Sequence, residues 1–280
     1  MSTTDFGSRL RSAMDGRGPL CVGIDPHAGL LDAWGLTDSV TGLERFALGA
    51  AEALAPEVAV VKPQSAFFER FGSRGIAVLE RVVETCREAG ALVVLDVKRG
   101  DIGSTAQAYA DAYLDPNSPL AVDAITATPY LGLGSLEPML RTAERHDKGV
   151  FVLALTSNPE GTQVQHARTA DGQTVAGLVL DGLRERNAGA QPVGSFGAVV
   201  GATIADTRED LAINGPLLVP GIGAQGGTAE DVRRIFAGCL DLVLPSSSRE
   251  ILAAGPLPTG LHGAVGQALD AFAELRRGGR

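Results

Sequence analysis

The sequence predicts an α/β protein with a closed (β/α)8 barrel, the TIM-barrel architecture, built as a single domain over residues 1–280. Eight short runs rich in Val, Ile and Leu are almost continuously apolar, which is typical of parallel strands buried on both faces. Helical patterns separate most of these runs, and eight strand–helix units in about 250 residues match the usual size of such a barrel. A doubly wound open sheet is the alternative, because periodicity does not show whether a sheet closes.

The eight predicted strands cover residues 20–25, 58–63, 92–98, 122–128, 150–156, 197–203, 216–222 and 240–246. The spacing of apolar residues predicts helices over residues 42–54, 75–90, 134–145, 172–186, 228–238 and 263–277. Thr228 is a good N-cap for the fifth of these helices, because its hydroxyl can accept a hydrogen bond from a free backbone N–H. The polar stretch of residues 157–171 follows the fifth strand and is a candidate lid, with an ordinary surface loop as the alternative.

Composition and charge exclude several classes of protein. The chain has 24 basic and 33 acidic residues, a net charge of −9, whereas nucleic-acid binding draws on a concentrated basic surface. No apolar run is long enough to span a membrane, and the N-terminal sequence lacks a secretory pattern. Three distant cysteines, Cys21, Cys86 and Cys239, argue against a disulfide framework or a zinc cluster. We therefore expect a cytoplasmic protein without nucleic-acid or membrane partners.

Lysine is rare in this chain. Of the 24 basic residues only three are Lys, namely Lys62, Lys98 and Lys148. A coding bias towards Arg explains the ratio, but Lys can release a proton near neutral pH when its pKa is tuned, whereas Arg cannot. Lys62 and Lys98 end the second and third predicted strands, where barrel enzymes build their sites. Lys148 precedes the fifth strand at the opposite rim, and we expect it to be solvated.

The segment LDVKRGDIGST (95–105) concentrates the charged residues. Asp96 and Lys98 are two residues apart on a strand, so both side chains point to the same face. With Lys62 and Asp101 they make a self-neutralising array of four charges, which can keep a lysine protonated and a carboxylate ionised in a dry pocket. A purely structural Asp–Lys pair in the barrel core is the alternative. Asp25 ends the first strand and precedes Pro26, so it fits either a ligand-binding role or a turn.

The segment PGIGAQGG (220–227) is a candidate phosphate site. Glycines let backbone N–H groups approach an anion, and a helix N-terminus follows. Arg249 comes after the eighth strand, and phosphate sites in barrels often lie after strands seven and eight. A bare tight turn and a dinucleotide fingerprint are the alternatives, the second disfavoured because no acidic residue ends the next strand. Ser104 or Thr105 is a candidate N-cap of a helix after the third strand.

Seven segments carry a family resemblance: VGIDP (22–26), VVKPQSAFFE (60–69), DVKRGDIGST (96–105), TPYLG (128–132), TSNPEG (156–161), PGIGAQGG (220–227) and SSSREIL (246–252). Over nearly its whole length the chain resembles the orotidine 5′-phosphate decarboxylases of the long bacterial form. The D-x-K-x-x-D core alone is shared with magnesium-dependent relatives such as 3-keto-L-gulonate 6-phosphate decarboxylase and hexulose-phosphate synthase. The longer segments are far more specific.

The resemblance implies a homodimeric barrel, free of cofactor and metal, that converts orotidine 5′-monophosphate to uridine 5′-monophosphate and CO₂ in de novo pyrimidine biosynthesis. It implies that Lys98 protonates C6, that Asp96 lies against the departing carboxylate and that Lys62 completes the charge network near the ribose. The remaining implied roles are Asp101 and Thr105 contributed by the partner subunit, Asp25 on the ribose hydroxyls, Ser157 on the pyrimidine, and Gln225 with Arg249 on the phosphate.

The chain departs from the family pattern beside the implied phosphate ligand. Many relatives have Gly immediately before the phosphate-binding Arg, whereas this chain has Ser248, and Glu250 follows. Ser248 can still donate its backbone N–H to a phosphate. Two alternative functions stand beside decarboxylation of the nucleotide: a magnesium-dependent phosphosugar decarboxylase or aldolase on the same barrel, and a phosphate-ligand-binding barrel without catalysis.

Overall fold

The computed structural model describes residues 4–204, 207–222 and 226–277, with side chains described up to residue 273. Its eight parallel strands close into a barrel in chain order. The first strand pairs with both the second and the eighth, which closes the sheet. The predicted fold class is therefore confirmed, and the open sheet is excluded.

All eight predicted strands overlap observed ones. The strands are β1 (Cys21–Ile24), β2 (Val60–Pro63), β3 (Leu92–Arg99), β4 (Ala124–Ala127), β5 (Gly149–Leu155), β6 (Phe196–Val200), β7 (Leu217–Pro220) and β8 (Val243–Ser247). Most of their residues are buried, as expected for strands covered on both faces.

The helices are α1 (Phe6–Arg17), α2 (Ala28–Ala33), α3 (Val40–Leu54), α4 (Ala66–Glu69), α5 (Ser73–Glu88), α6 (Gly103–Leu114), α7 (Glu137–Arg145), α8 (Thr162–Gln165), α9 (Val175–Arg186), α10 (Ala229–Ile235), α11 (Arg249–Leu252) and α12 (Pro258–Arg277). All six predicted helices are present, as α3, α5, α7, α9, α10 and α12. The count of eight strand–helix units is wrong, because residues 201–204 and 207–216, the described part of the segment between β6 and β7, contain no helix.

Two helix starts test the capping predictions. Thr228 caps α10 as predicted: its Oγ1 accepts from the N–H of Asp231 at 3.1 Å, and the Asp231 carboxylate accepts from the N–H of Thr228 at 3.0 Å. The prediction for α6 is wrong. Its N-cap position is Ile102, which makes no side-chain cap bond, and Ser104 and Thr105 lie inside the first turn.

The barrel has an outer and an inner core. Outward-facing strand residues such as Val61 and Leu95 pack under the helices, together with Phe46 of α3 and Leu79 of α5. Inward-facing residues, among them Phe151, form a separate cluster that α1 joins from the N-terminal end of the strands. The outer cluster holds the helices against the sheet, and the inner one fills the lower half of the barrel.

Helix α1 closes the N-terminal end of the barrel and is not among the predicted helices. Its buried residues Phe6, Leu10 and Met14 recur every four positions and face the inner core. The rings of Phe6 and Phe151 meet edge to face with centroids 6.0 Å apart. A Cβ on Gly149 would overlap the Phe6 ring, so the small residue at the start of β5 is what lets α1 approach.

The three cysteines and Lys148 are buried to different extents. The cysteines are all free and buried, and burial raises the pKa of Cys21 and of Cys86 to about 12 and that of Cys239 to about 11. The expectation that Lys148 is solvated is wrong: it is half-buried at the N-terminal rim, where burial lowers its pKa.

Replacing the plug residue of α1 tests its importance for stability. We expect Phe6→Ala to lower the free energy of unfolding by about 3–5 kcal/mol, because it removes a fully buried ring and leaves a cavity. The measurement is urea unfolding followed by circular dichroism. Leu257→Ala is the control, since Leu257 is 68% exposed, and it should stay within about 0.5 kcal/mol of the wild type. An equally small effect of Phe6→Ala would show that α1 does not contribute to closing the barrel.

Candidate active site

A cavity of about 360 Å³ opens at the carboxyl ends of the strands, where barrels of this kind carry their sites. One wall is charged and polar and comes from the ends of β1 to β4. A second wall is apolar and comes from β5, β6 and β7. The side chains are Asp25, Lys62, Gln64, Asp96, Lys98 and Thr126 in the first wall, and Leu153, Val199 and Leu218 in the second.

Two lysines share one carboxylate at the centre of the charged wall. Lys98 Nζ donates to Asp96 Oδ1 at 2.6 Å, and Lys62 Nζ donates to Asp96 Oδ2 at 3.2 Å. Lys62 is 7% exposed and Asp96 is 9% exposed, whereas the side chain of Lys98 is 45% exposed and reaches the open part of the cavity. The structure therefore brings three of the predicted residues into direct contact, and it leaves the Lys98 ammonium accessible to a ligand.

The cluster stays ionised despite its burial. Burial alone would raise the pKa of the Asp96 carboxyl, but the charges of Lys62 and Lys98 and hydrogen bonds from Lys98 and Thr126 hold that pKa well below its ordinary value. Burial alone would likewise lower the pKa of Lys62, yet the negative charges of Asp96 and Asp25 raise it above the usual range. At neutral pH Asp96 and Lys62 therefore form a buried ion pair in which each group keeps the other charged.

Thr126 is a site residue that the sequence analysis missed. Its Oγ1 donates to Asp96 Oδ1 at 2.7 Å and accepts from the backbone N–H of Lys98 at 3.0 Å. The predicted strand of residues 122–128 contained it, and its position next to β3 was the signal that could have identified it.

Asp25 is linked to the residue that departs from the family pattern. The Ser248 hydroxyl donates to Asp25 Oδ2 at 2.6 Å and so joins the end of β8 to the end of β1. Gly23 lies beneath this contact, where a Cβ would meet the Ser248 side chain at less than 3 Å. The other oxygen, Asp25 Oδ1, is buried and has no hydrogen-bond partner among the described residues. It is free to accept a hydrogen bond from a ligand.

Two of the remaining residues predicted to bind the substrate lie at the rim of the cavity, and one lies outside the described residues. Ser157 and Arg249 both line the cavity, with exposed side chains. Gln225 lies outside the described residues. The two ends of the glycine-rich turn approach closely: Gly227 donates its N–H to the carbonyl of Gly221 at 3.1 Å, and a Cβ on Gly227 would overlap that carbonyl.

Asp101 and Thr105 do not line the cavity of their own chain. Asp101 is half-buried and accepts the N–H of Ile102 at 2.8 Å, and Thr105 is exposed on α6. Ile102, which follows Asp101 in the chain, is 61% exposed, and Tyr130, in the loop after β4, is 76% exposed. The fourth charge of the predicted array is therefore absent from the pocket that the other three residues form.

The segment of residues 157–171 is partly helical. It contains a 3₁₀ turn at Pro159–Gly161 and the short helix α8. Gln165 of α8 accepts the N–H of Thr156 at 2.9 Å and donates to the Thr156 hydroxyl at 2.6 Å, which ties α8 to the end of β5. The lid role of this segment stays a prediction.

The described residues contain neither a metal-binding cluster nor a membrane-spanning helix. No group of three or more His, Cys, Asp or Glu side chains in ranges 4–204, 207–222 and 226–277 is arranged to hold a metal ion. Within the same ranges, no helix has the length and apolar character needed to cross a membrane.

A closed parallel barrel with a charged pocket at the carboxyl ends of its strands defines the class: an enzyme of the TIM-barrel type. The family model described as orotidine 5′-phosphate decarboxylase / HUMPS matches residues 18–259. The chain belongs to this family.

Individual relatives agree with the family model. The chain is 71% identical to a Nocardioides sp. protein named orotidine 5′-phosphate decarboxylase, over 88% of this chain and 91% of that protein. The crystal structure of a Streptomyces avermitilis protein proposed to be an orotidine 5′-phosphate decarboxylase matches with a TM-score of 0.94 at 58% identity, covering 100% of this chain and 97% of that one. The structure of Leishmania donovani OMP decarboxylase matches with a TM-score of 0.73 at 30% identity, covering 98% and 99%.

Removing the shared carboxylate tests the charge cluster through stability. We expect Asp96→Asn to lower the free energy of unfolding at neutral pH by about 3–5 kcal/mol, because Lys62 stays buried without its main counter-charge. Since the folded-state pKa of Asp96 is depressed, its contribution is fully present above its ordinary pKa of 3.8 and is lost as pH falls through the folded-state value. The difference between the two proteins should therefore shrink below about pH 4.

The measurement is urea unfolding at a series of pH values from about 2 to 7, a range that spans the ordinary pKa of 3.8, below which the difference should begin to shrink. Asp32→Asn, on the exposed surface of α2, is the matched control and should stay within about 0.5 kcal/mol of the wild type throughout. A stability difference that does not change with pH would contradict the assignment of the effect to the Asp96 charge.

Proposed function

We propose that the protein is a cytoplasmic enzyme of pyrimidine biosynthesis, a carbon–carbon lyase that decarboxylates orotidine 5′-monophosphate to uridine 5′-monophosphate and CO₂. The observation that carries the proposal is the buried Lys62–Asp96–Lys98 cluster, with its accessible ammonium, in a chain of this family. The named relatives are orotidine 5′-phosphate decarboxylases, and they support the choice of substrate.

Lys98 is the proposed proton donor. Loss of CO₂ from the sp² carbon C6 leaves an electron pair that the ring stabilises poorly, so the barrier is high. A fixed ammonium lowers it twice, because its positive charge favours the developing negative carbon and its proton then forms the new C6–H bond. Two features of Lys98 support this role: its side chain is 45% exposed at the cavity, and its Nζ is held by a hydrogen bond to Asp96.

Asp96 and Lys62 form the rest of the proposed reaction site. Asp96 is held ionised, so it repels the substrate carboxylate beside it, and that repulsion is relieved as neutral CO₂ departs. Lys62 balances the Asp96 charge, and its ammonium is stabilised further by the negative charge of Asp25, the proposed ribose ligand. The apolar second wall keeps water away and strengthens these charge interactions.

The proposed substrate contacts spread over the mouth of the barrel. Arg249, with Gln225, is the proposed phosphate ligand; Asp25 Oδ1 is a buried free acceptor suited to a ribose hydroxyl; and Ser157 is the proposed pyrimidine ligand. Binding the phosphate far from C6 supplies free energy that can be used to orient and destabilise the reacting carboxylate. The proposed reaction uses no cofactor and no metal, since Lys98 provides the charge.

A homodimer is proposed to complete each site. Asp101 and Thr105 do not line their own cavity, and three large apolar side chains in the segments that follow β3 and β4 are exposed, namely Ile102, Tyr130 and Leu131. Exposed apolar surface of this kind is typical of protein interfaces. In a two-fold dimer the same surface serves both chains, so Asp101 of each chain would enter the site of the other.

The proposed activity is tested with the purified protein and orotidine 5′-monophosphate, by following the loss of ultraviolet absorbance with and without EDTA. We expect turnover that chelation leaves unchanged. Lys98→Arg is the matched variant: it keeps the charge but does not release its proton, and we expect kcat to fall on the order of 10³-fold or more. Loss of activity with EDTA and recovery with magnesium would instead identify a magnesium-dependent reaction, and near-normal kcat in Lys98→Arg would contradict the proton-donor role.

Mixing inactive variants tests the shared site. Lys98→Ala and Asp101→Ala should each be inactive alone, but in a mixed dimer one site carries both changes and the other carries neither. With equal random mixing half of the dimers are mixed and each has one intact site, so activity should approach about a quarter of wild type. The control pair, Lys98→Ala with Asp96→Ala, changes two residues of the same site and should not recover. If demonstrated subunit exchange restored no activity in the first pair, Asp101 would serve its own chain.

A further inference from the structure

We propose that Thr126 is a positioning residue, whose single hydroxyl fixes both the Asp96 carboxylate and the backbone of Lys98 and thereby sets where the Lys98 ammonium stands. This inference rests on the proposed function, because its readout is decarboxylation. Thr126 is buried, at 2% exposure, and lies on β4 directly beside the end of β3.

The pairing of β3 with β4 shows why a hydroxyl is needed at this place. Leu95 pairs with Ile125 and Arg99 pairs with Ala127, so three residues of β3 lie opposite the single residue Thr126. Such a bulge interrupts the ladder of backbone hydrogen bonds and re-aims the side chains of the bulged strand. Here the bulged residues are 96–98, which include Asp96 and Lys98, the two charged residues that β3 contributes to the cavity.

The Thr126 hydroxyl provides hydrogen bonds where the bulge interrupts the backbone hydrogen bonds between β3 and β4. It accepts the N–H of Lys98 at 3.0 Å, and it donates its only proton to Asp96 Oδ1 at 2.7 Å. Lys98 Nζ donates to the same Asp96 oxygen at 2.6 Å. One hydroxyl therefore closes a small ring that runs from the backbone of Lys98 through Asp96 to the ammonium of Lys98.

The backbone of Lys98 needs this support. Its φ of 45° lies in the left-handed region, which is unfavourable for a residue with a side chain. Residues held in such conformations persist where the surroundings fix them, and they cluster at functional sites. On one side Thr126 holds Lys98, and on the other side Arg99 is anchored by its ion pair with Glu69. The strained residue is thus fixed between two contacts.

Removing the Thr126 hydroxyl should lower the rate of the reaction without weakening substrate binding. Displacing a proton donor by about 1 Å can lower the rate by about 100-fold. The proposed ligands of the phosphate and of the ribose, Arg249 and Asp25, follow the ends of other strands, β8 and β1. Removal of the hydroxyl should therefore lower kcat and leave substrate affinity nearly unchanged.

The test compares Thr126→Val, which keeps the shape and removes the hydroxyl, with Thr126→Ser, which keeps the hydroxyl. We expect kcat of Thr126→Val to fall by about 100-fold, with KM and the Kd for uridine 5′-monophosphate within about threefold of wild type. Thr126→Ser should restore kcat to within about fivefold. Thr142→Val is the matched control, because Thr142 is equally buried but lies on α7, away from the cavity, and it should leave kcat unchanged.

The other outcomes separate the possible explanations. Unchanged kcat in Thr126→Val would overturn the proposal, and so would a parallel loss of uridine 5′-monophosphate binding, or a Thr126→Ser variant as slow as Thr126→Val. If Thr126→Val does not fold, as judged by circular dichroism and nucleotide binding, Thr126→Ala carries the same comparison. Inactivity of the wild-type protein would count against the proposed function itself, whereas an active wild type with a fully active Thr126→Val refutes only the positioning role.

Discussion

One buried carboxylate shared by two lysines is the interaction on which the rest of the site depends. Asp96 neutralises Lys62, which lies deep in the barrel, and at the same time orients Lys98, which faces the open cavity. Lys62 could not be placed there without a counter-charge, because an unpaired buried ion is strongly destabilising. The negative charge of Asp25 adds to the stabilisation of Lys62, so all four groups from β1 to β3 are coupled.

The barrel makes this coupling possible by its geometry. Parallel strands in chain order place Gly23 beside Lys62 and bring β3 next to β2, so that residues far apart in sequence meet at one rim. The bulge in β3 contains Asp96 and Lys98, and both of these residues line the cavity. A rigid sheet carries the charged groups, while the residues proposed to bind the ends of the substrate lie on the turns that follow the strands.

The sequence was sufficient to predict the barrel and the central ion cluster, because both follow from local patterns. Nearly continuous apolar runs identify strands buried on two faces, and the spacing of Asp96 and Lys98 places both side chains on one face. Thr126 was missed because its role arises from the pairing of β3 with β4, which neither strand reveals alone. The hydrogen bond between Ser248 and Asp25 joins the segments that follow the last and the first strands, and such long-range contacts are not visible in a single sequence. Helix α1 was missed because it presents a narrow apolar stripe to the barrel instead of a wide face.

The burial of the three cysteines has a practical consequence for spectroscopy. Thiol reagents react with thiolates, and the raised pKa values of Cys21, Cys86 and Cys239 keep all three protonated and enclosed. The three native cysteines should therefore react very little with thiol-labelling reagents. A single cysteine introduced on the exposed part of residues 157–171 would react selectively with a fluorophore or spin label. Whether that segment moves over the cavity could then be tested without first removing the native cysteines.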